Sequence, residues 1–182
     1  MNLTSVKCKI LETMLLNDKP LRIIDVAKES GNNFKAVNMH LIGLTKTGYT
    51  TSPSKGQYIL TQKGKEAVGV SETSKECATQ ILSQTSNEKA FHFYTAMHKP
   101  LNLFACGLKD FSEKIETVDV ASLEFHLQRG DFEKWFTNIC DTELAKKMEL
   151  LKATGIKGDQ LRTKLQEIID NRCTALSKLM QS

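Results

Sequence analysis

Gly48 to Gly64 reads GYTTSPSKGQYILTQKG. Tyr, Thr and Ile gather at 49–52 and 57–60, on either side of Pro53-Ser54-Lys55-Gly56. Aromatic and β-branched residues suit extended backbone. Proline fixes φ early in a turn and glycine admits a positive φ. The stretch is therefore predicted to be a β-hairpin with Lys55 at its tip. A lone hairpin is marginal in water, so it must lean on neighbouring elements through residues such as Tyr58 and Leu60.

The flanking sequence supplies helices. Leu3, Val6, Ile10 and Met14, with Leu11 and Leu15 beside them, have helical spacing that stops at Asn17-Asp18-Lys19-Pro20. Leu21-Arg22-Ile23 reads as a strand stub, followed by a short helix from Asp25 to Ser30 closed by Gly31. Asn32 is expected to cap a third helix, with Phe34, Val37, Leu41 and Leu44 on its inward stripe and Gly48 at its end. Thr61 is placed to cap a fourth helix starting QKGKEAV.

Helix, short helix, glycine turn, helix, hairpin and helix is an order with a known counterpart. DVAKESGNNFKAVNMHLIGLTKTGY followed by GQYILTQKGKEAV resembles the winged helix-turn-helix domain of bacterial and archaeal transcription regulators. The likeness covers residues 3–70 and includes Val37, His40, Leu41, Leu44, Gly48 and Tyr49 in the pattern V-x-x-H-L-x-x-L-x-x-x-G-Y. It implies that the third helix is a recognition helix and the hairpin a wing. With the inward stripe as above, Asn33, Lys35, Ala36, Asn38 and Met39 face outward. Asn can pair with adenine, Lys can reach phosphate or guanine, and Ala or Met can lie against a thymine methyl. Lys55 on the wing suits a phosphate.

Charge is shared unevenly. Residues 1–70 carry a net charge of +5 and residues 71–182 a net of −1, giving the +4 of the whole chain. A basic N-terminal part fits a polyanionic partner. No apolar stretch is long enough to span a bilayer and the N-terminus lacks a signal-peptide core, so a cytoplasmic protein with no membrane partner is expected. Cys8, Cys77, Cys106, Cys140 and Cys173 are odd in number and lie 29 or more residues apart. This spacing contains no CxxC motif and argues against a disulfide framework; buried, reduced thiols are expected.

Residues 71–90, rich in Ser, Thr and Gln, read as a connecting helix or linker between a domain at 1–70 and a second at 91–182. The second domain is expected to be a helical bundle without a further hairpin. Phe91 to Met97 reads as a short aromatic helix ending at Lys99-Pro100, and Leu101, Phe104, Leu108, Phe111 and Ile115 read as one helical stripe. Asp131 and Asp141 are expected N-caps, and the last helix starts near Asp159. The fold class expected is thus mostly α, an N-terminal winged helix joined to a C-terminal helical bundle.

The densest chemistry lies in SLEFHLQRGDFEKW, Ser122 to Trp135. Together with DTELAKKMELLK it resembles an uncharacterised helical domain of archaeal and bacterial proteins over residues 91–176, which implies a fold and no reaction. Glu124, His126, Arg129 and Asp131 admit three readings. The one favoured by the residues is a structural network at a helix corner. The second is a pocket gripping a small anionic effector through Arg129 and His126. The third is a metal or catalytic site, which lacks both EF-hand and HExxH spacing. His92 and His98, six residues apart, are expected as separate amphipathic side chains.

No phosphate-cradling loop, nucleophile elbow or paired zinc ligands occur, so no catalytic residue, metal or cofactor is expected and the chain does not read as an enzyme. The function expected is a double-stranded-DNA-binding homodimer, a transcription regulator or nucleoid-associated protein, with the helical domain serving dimerisation or sensing. The alternative is a winged helix that docks proteins without DNA.

Overall fold

The computed structural model describes residues 3–181. Among them are ten α-helices and five strands, and the chain divides into two compact units, Met1–Glu72 and Thr73–Ser182. No described helix is long and apolar enough to cross a membrane.

The first unit runs α1 (Ser5–Asn17), β1 (Leu21–Arg22), α2 (Ile23–Ser30), α3 (Phe34–Lys46), β2 (Thr50–Ser54), β3 (Gln57–Leu60) and α4 (Gln62–Ala67). Its core joins Ile10, Leu11 and Met14 of α1 to Val26 and Ala27 of α2 and to Val37, Leu41 and Leu44 of α3, with Leu21 beside them. Tyr49, Tyr58 and Leu60 pack against this cluster. The hairpin has a further support. β1 pairs antiparallel with β3, Leu21 opposite Tyr58, giving a three-stranded sheet in the order β1-β3-β2. β2 is an edge strand and its register shifts between Thr51 and Ser54, which is how it accommodates Pro53.

Two details of this unit differ from the expectations. Asn33, not Asn32, caps α3, accepting from the Lys35 N–H at 2.8 Å, while Asn32 donates to the Ser30 carbonyl. Phe34 does not face inward. As the first residue of α3 it precedes the turn that packs on the core, and it remains 48% exposed.

The second unit runs α5 (Lys75–Leu82), a 3-10 turn (Asn87–Lys89), β4 (Phe91–Ala96), β5 (Lys99–Ala105), α6 (Leu108–Ile115), α7 (Val120–Arg129), α8 (Asp131–Asn138), α9 (Thr142–Thr154) and α10 (Gly158–Gln181). The stretch from 71 to 90 is no bare linker, since α5 packs against α10. The expected aromatic helix at Phe91–Met97 is a strand instead. Phe91 and Phe93 alternate with His92 and Tyr94, and the two phenylalanines are buried. Period two, with aromatic and β-branched residues, outweighs the short helical spacing. The expected stripe from Leu101 to Ile115 is likewise divided. Leu101 and Phe104 belong to β5 and are partly exposed, whereas Leu108, Phe111 and Ile115 form the buried face of α6. Gly107, extended at φ −179°, separates the two.

An aromatic cluster organises this unit. The Phe91 ring lies 5.0–5.5 Å, centre to centre, from Phe93, Phe111, Phe132 and Trp135. Edge-to-face arrangements dominate, the geometry that ring quadrupoles favour. The indole N–H of Trp135 donates to the Lys89 carbonyl at 3.0 Å. A second feature lies at the packing of α9 and α10, where Arg172 donates to Asp141 at 2.9 Å, to Glu143 at 3.0 Å and to Thr73 at 2.9 Å. Lys147 pairs with Glu143 at 2.7 Å, and all four charged side chains are buried. Each charge loses hydration on burial, and the close opposite charges offset part of that cost.

The cysteines are all free, but none is buried: Cys140 is exposed and the other four are half-buried. Partial burial, with Asp170 and Asp141 nearby, pushes the Cys173 thiol up to about 11. Iodoacetamide near neutral pH should therefore label Cys140 and leave Cys173 unreacted, read by peptide mass spectrometry.

Candidate functional sites

Two places carry the residues singled out by sequence. The first is the outer face of α3. Lys35, Met39, Ile42 and Lys46 are exposed, and their i, i+4, i+7, i+11 spacing sets them on one side of the helix, opposite the buried Val37, Leu41 and Leu44. Ala36 and Asn38 flank that face and are half-buried. The Oδ1 of Asn33 already accepts the capping N–H, which leaves its amide nitrogen the freer group for an outside partner, whereas Asn38 makes no such cap. Ile42 and Lys46 add to the contact residues expected from the sequence. They follow directly from extending the Lys35–Met39 spacing by two further turns.

The hairpin beside α3 ends in an exposed Lys55-Gly56 turn, with Gly56 at φ +76°. The chain leaves it through tightly bonded joints. Thr61 donates its hydroxyl to the Gly48 carbonyl at 2.6 Å and accepts from the Gly64 N–H at 3.1 Å. Lys63 donates to the Thr47 carbonyl at 2.8 Å, with its ammonium 4.8 Å from the centre of the Tyr49 ring. These contacts tie α4 to the end of α3 and fix where the hairpin sits against that helix.

The second place is the corner between α7 and α8. Gly130, at φ +73°, ends α7 and directly precedes α8. Asp131 was expected to cap α8, but it is the first residue of that helix and its carboxylate points elsewhere. It accepts from His126 Nδ1 at 2.8 Å and from Arg129 Nε at 3.1 Å. His126 Nε2 accepts from the Tyr94 backbone N–H at 2.8 Å. Because an amide can only donate, the imidazole must be neutral and carry its proton on Nδ1. His126 thus supplies the partner that the outer edge of β4 would otherwise lack.

Glu124 does not join this group. Its Oε1 accepts from the Gly158 N–H at 2.8 Å and so serves the start of α10. The β4–β5 hairpin, by contrast, brings in residues that a helical reading had kept apart. His92, Tyr94 and His98 line one cavity with His126, Arg129 and Asp131. No three His, Cys, Asp or Glu side chains among the described residues are grouped to hold a metal ion.

Burial pushes the His126 pKa below its ordinary 6.5, the hydrogen bond and charge of Asp131 opposing that shift. The folded ring therefore takes up a proton less readily than the unfolded one. Its contribution to stability is present above 6.5 and declines as pH falls below that value. The melting temperature of the second unit, followed by Trp135 fluorescence, should fall as pH drops from about one unit above to about one unit below that value, and His126→Gln should flatten the dependence.

No protein-family model, curated protein or solved structure matches the chain.

Proposed function

We propose that the first unit is a winged helix-turn-helix domain that binds double-stranded DNA, and that the protein is a transcription regulator or nucleoid-associated protein acting as a homodimer. The observation that carries the reading is the solvent-facing side of α3 with the Lys55 hairpin held beside it. A major groove admits one α-helix, and a face with Lys35 and Lys46 near its ends and Asn38, Met39 and Ile42 between them offers phosphate contacts, an amide and methyl-contacting surface. Lys55 would meet the backbone beside the groove. One such face carries few cations, which favours two half-sites read by a symmetric dimer.

Lys35→Glu and Lys55→Glu should each weaken binding to duplex DNA in a gel-shift or anisotropy titration. Both side chains are exposed, so unfolding free energy should change by under about 0.5 kcal/mol. Wild-type affinity in both variants would remove the assignment.

A second reading has its own observation. Phe34, Met39 and Ile42 are 48%, 64% and 45% exposed, more apolar surface than phosphate contacts need. A protein-docking winged helix would use that surface. Met39→Glu would then abolish binding to a protein partner, while Lys35→Glu would leave it intact.

A further inference from the structure

One cavity of the second unit, between the β4–β5 hairpin and the α7–α8 corner, has a volume of about 320 Å³ and is partly open to solvent. That places it at the small end of the range used for organic ligands. Phe91, Phe125, Ala96 and Met97 supply apolar walls, and the polar groups gather around Arg129. The guanidinium is held in two ways. Its Nε donates to Asp131 at 3.1 Å, and its central carbon lies 5.1 Å from the centre of the Phe125 ring. Its Nη1, on the other side, donates to the sulfur of Met97, a weak acceptor at the tip of the hairpin. The Arg129 side chain, 44% exposed, is thus oriented by Asp131 and Phe125, and among the described residues the outer edge of its guanidinium has no acceptor stronger than the Met97 sulfur.

We propose that this cavity binds a small aromatic monocarboxylate. The ring lies among Phe91, Phe125 and Met97, and the carboxylate replaces the Met97 sulfur on the Nη edge of Arg129. A planar carboxylate matches that edge with two parallel hydrogen bonds. Asp131 sets the charge limit. It already shares the guanidinium, so a compact dianion such as phosphate meets a second carboxylate, and among the described residues no lysine or second arginine lines the cavity to offset it. His126 adds none, because the Tyr94 N–H occupies its Nε2. An uncharged ring fills the walls but leaves the Arg129 edge unmatched.

The test is a thermal-shift and isothermal-calorimetry comparison on the full chain with benzoate, phenylacetate, benzamide and inorganic phosphate at millimolar concentration. Benzoate or phenylacetate should raise the melting temperature by several degrees, while benzamide and phosphate should not. Arg129→Gln should abolish the shift. Ala96→Trp fills the cavity from the β4 side, leaves Arg129 and Asp131 themselves unsubstituted and should abolish it too, and this variant decides the matter if Arg129→Gln fails to fold. The proposal is overturned by the absence of a shift with both carboxylates. An equal shift with benzamide or phosphate, or a shift retained in Ala96→Trp, overturns it as well.

Discussion

Gly64→Ala should disrupt the first unit, although the same change in an exposed helix stabilises by about 1 kcal/mol. Gly64 lies in α4, and a Cβ built there would sit 2.1 Å from the carbonyl oxygen of Tyr49 and 2.9 Å from a methyl of Leu60. The methyl can turn aside. The carbonyl cannot, because it accepts from the Thr61 N–H at 3.1 Å in the joint between hairpin and helix. Relief requires α4 to move off the sheet, which breaks the Thr61 and Lys63 bonds to the end of α3. Overpacking a tight site costs about 1–3 kcal/mol and occasionally more, and a backbone obstacle this close puts Gly64→Ala at about 3 kcal/mol or above. The propensity gain is too small to offset that. Amide hydrogen exchange should show lost protection in α3 and β3, while Trp135 fluorescence, reporting on the second unit, stays as in wild type. Protection equal to wild type would mean that α4 does not rest against Tyr49.

Arg172→Ala should have a comparable effect on the second unit. It removes the cation that Asp141 and Glu143 share. Glu143 retains Lys147, and Asp141 retains the Leu144 N–H that it caps at 3.0 Å, but the carboxylate of Asp141 is then buried without its counter-charge. Breaking a buried pair by deleting one partner costs about 3–5 kcal/mol, mostly through the charge left behind. Urea unfolding followed at the single tryptophan, Trp135, should show the loss. Adding Asp141→Asn should recover part of it, since Asn caps a helix nearly as well as Asp and leaves no charge. A double variant no more stable than Arg172→Ala alone would contradict this reading of the quartet.

The two units were unequally legible, for physical reasons. In the first, the decisive signals are local: the turn at Gly31, the α3 stripe, the Pro-Ser-Lys-Gly turn and the Thr61 cap each act within a few residues. Even there Phe34 misled, because helical spacing does not reveal that a first-turn residue overhangs the core. In the second unit Phe91 to Met97 reads as a short aromatic helix, whereas the chain there alternates with a period of two. Gly107, the interruption that separates strand from helix, was passed over within an apparently continuous apolar stripe.

The His126–Asp131–Arg129 group lies within six residues and could be anticipated, but its partners Tyr94 and Met97 arrive through a hairpin that the helical reading excluded. Glu124 shares their stretch of sequence and still serves another helix. The buried quartet was harder still. Glu143 and Lys147 look like an ordinary surface pair four residues apart, and nothing local indicates that Arg172, 31 residues beyond Asp141, closes over them.

The most direct test of the DNA-binding proposal is the affinity of the full chain for random-sequence duplex DNA across a salt series. Each phosphate neutralised releases condensed counterions and contributes about 0.9 to the slope of log affinity against log salt. With Lys35, Lys46 and Lys55 in contact, the predicted slope is roughly −2 to −3 per protomer, reduced by about one in Lys35→Glu. Absence of binding at low salt, or binding whose affinity does not change with salt, would contradict the proposal.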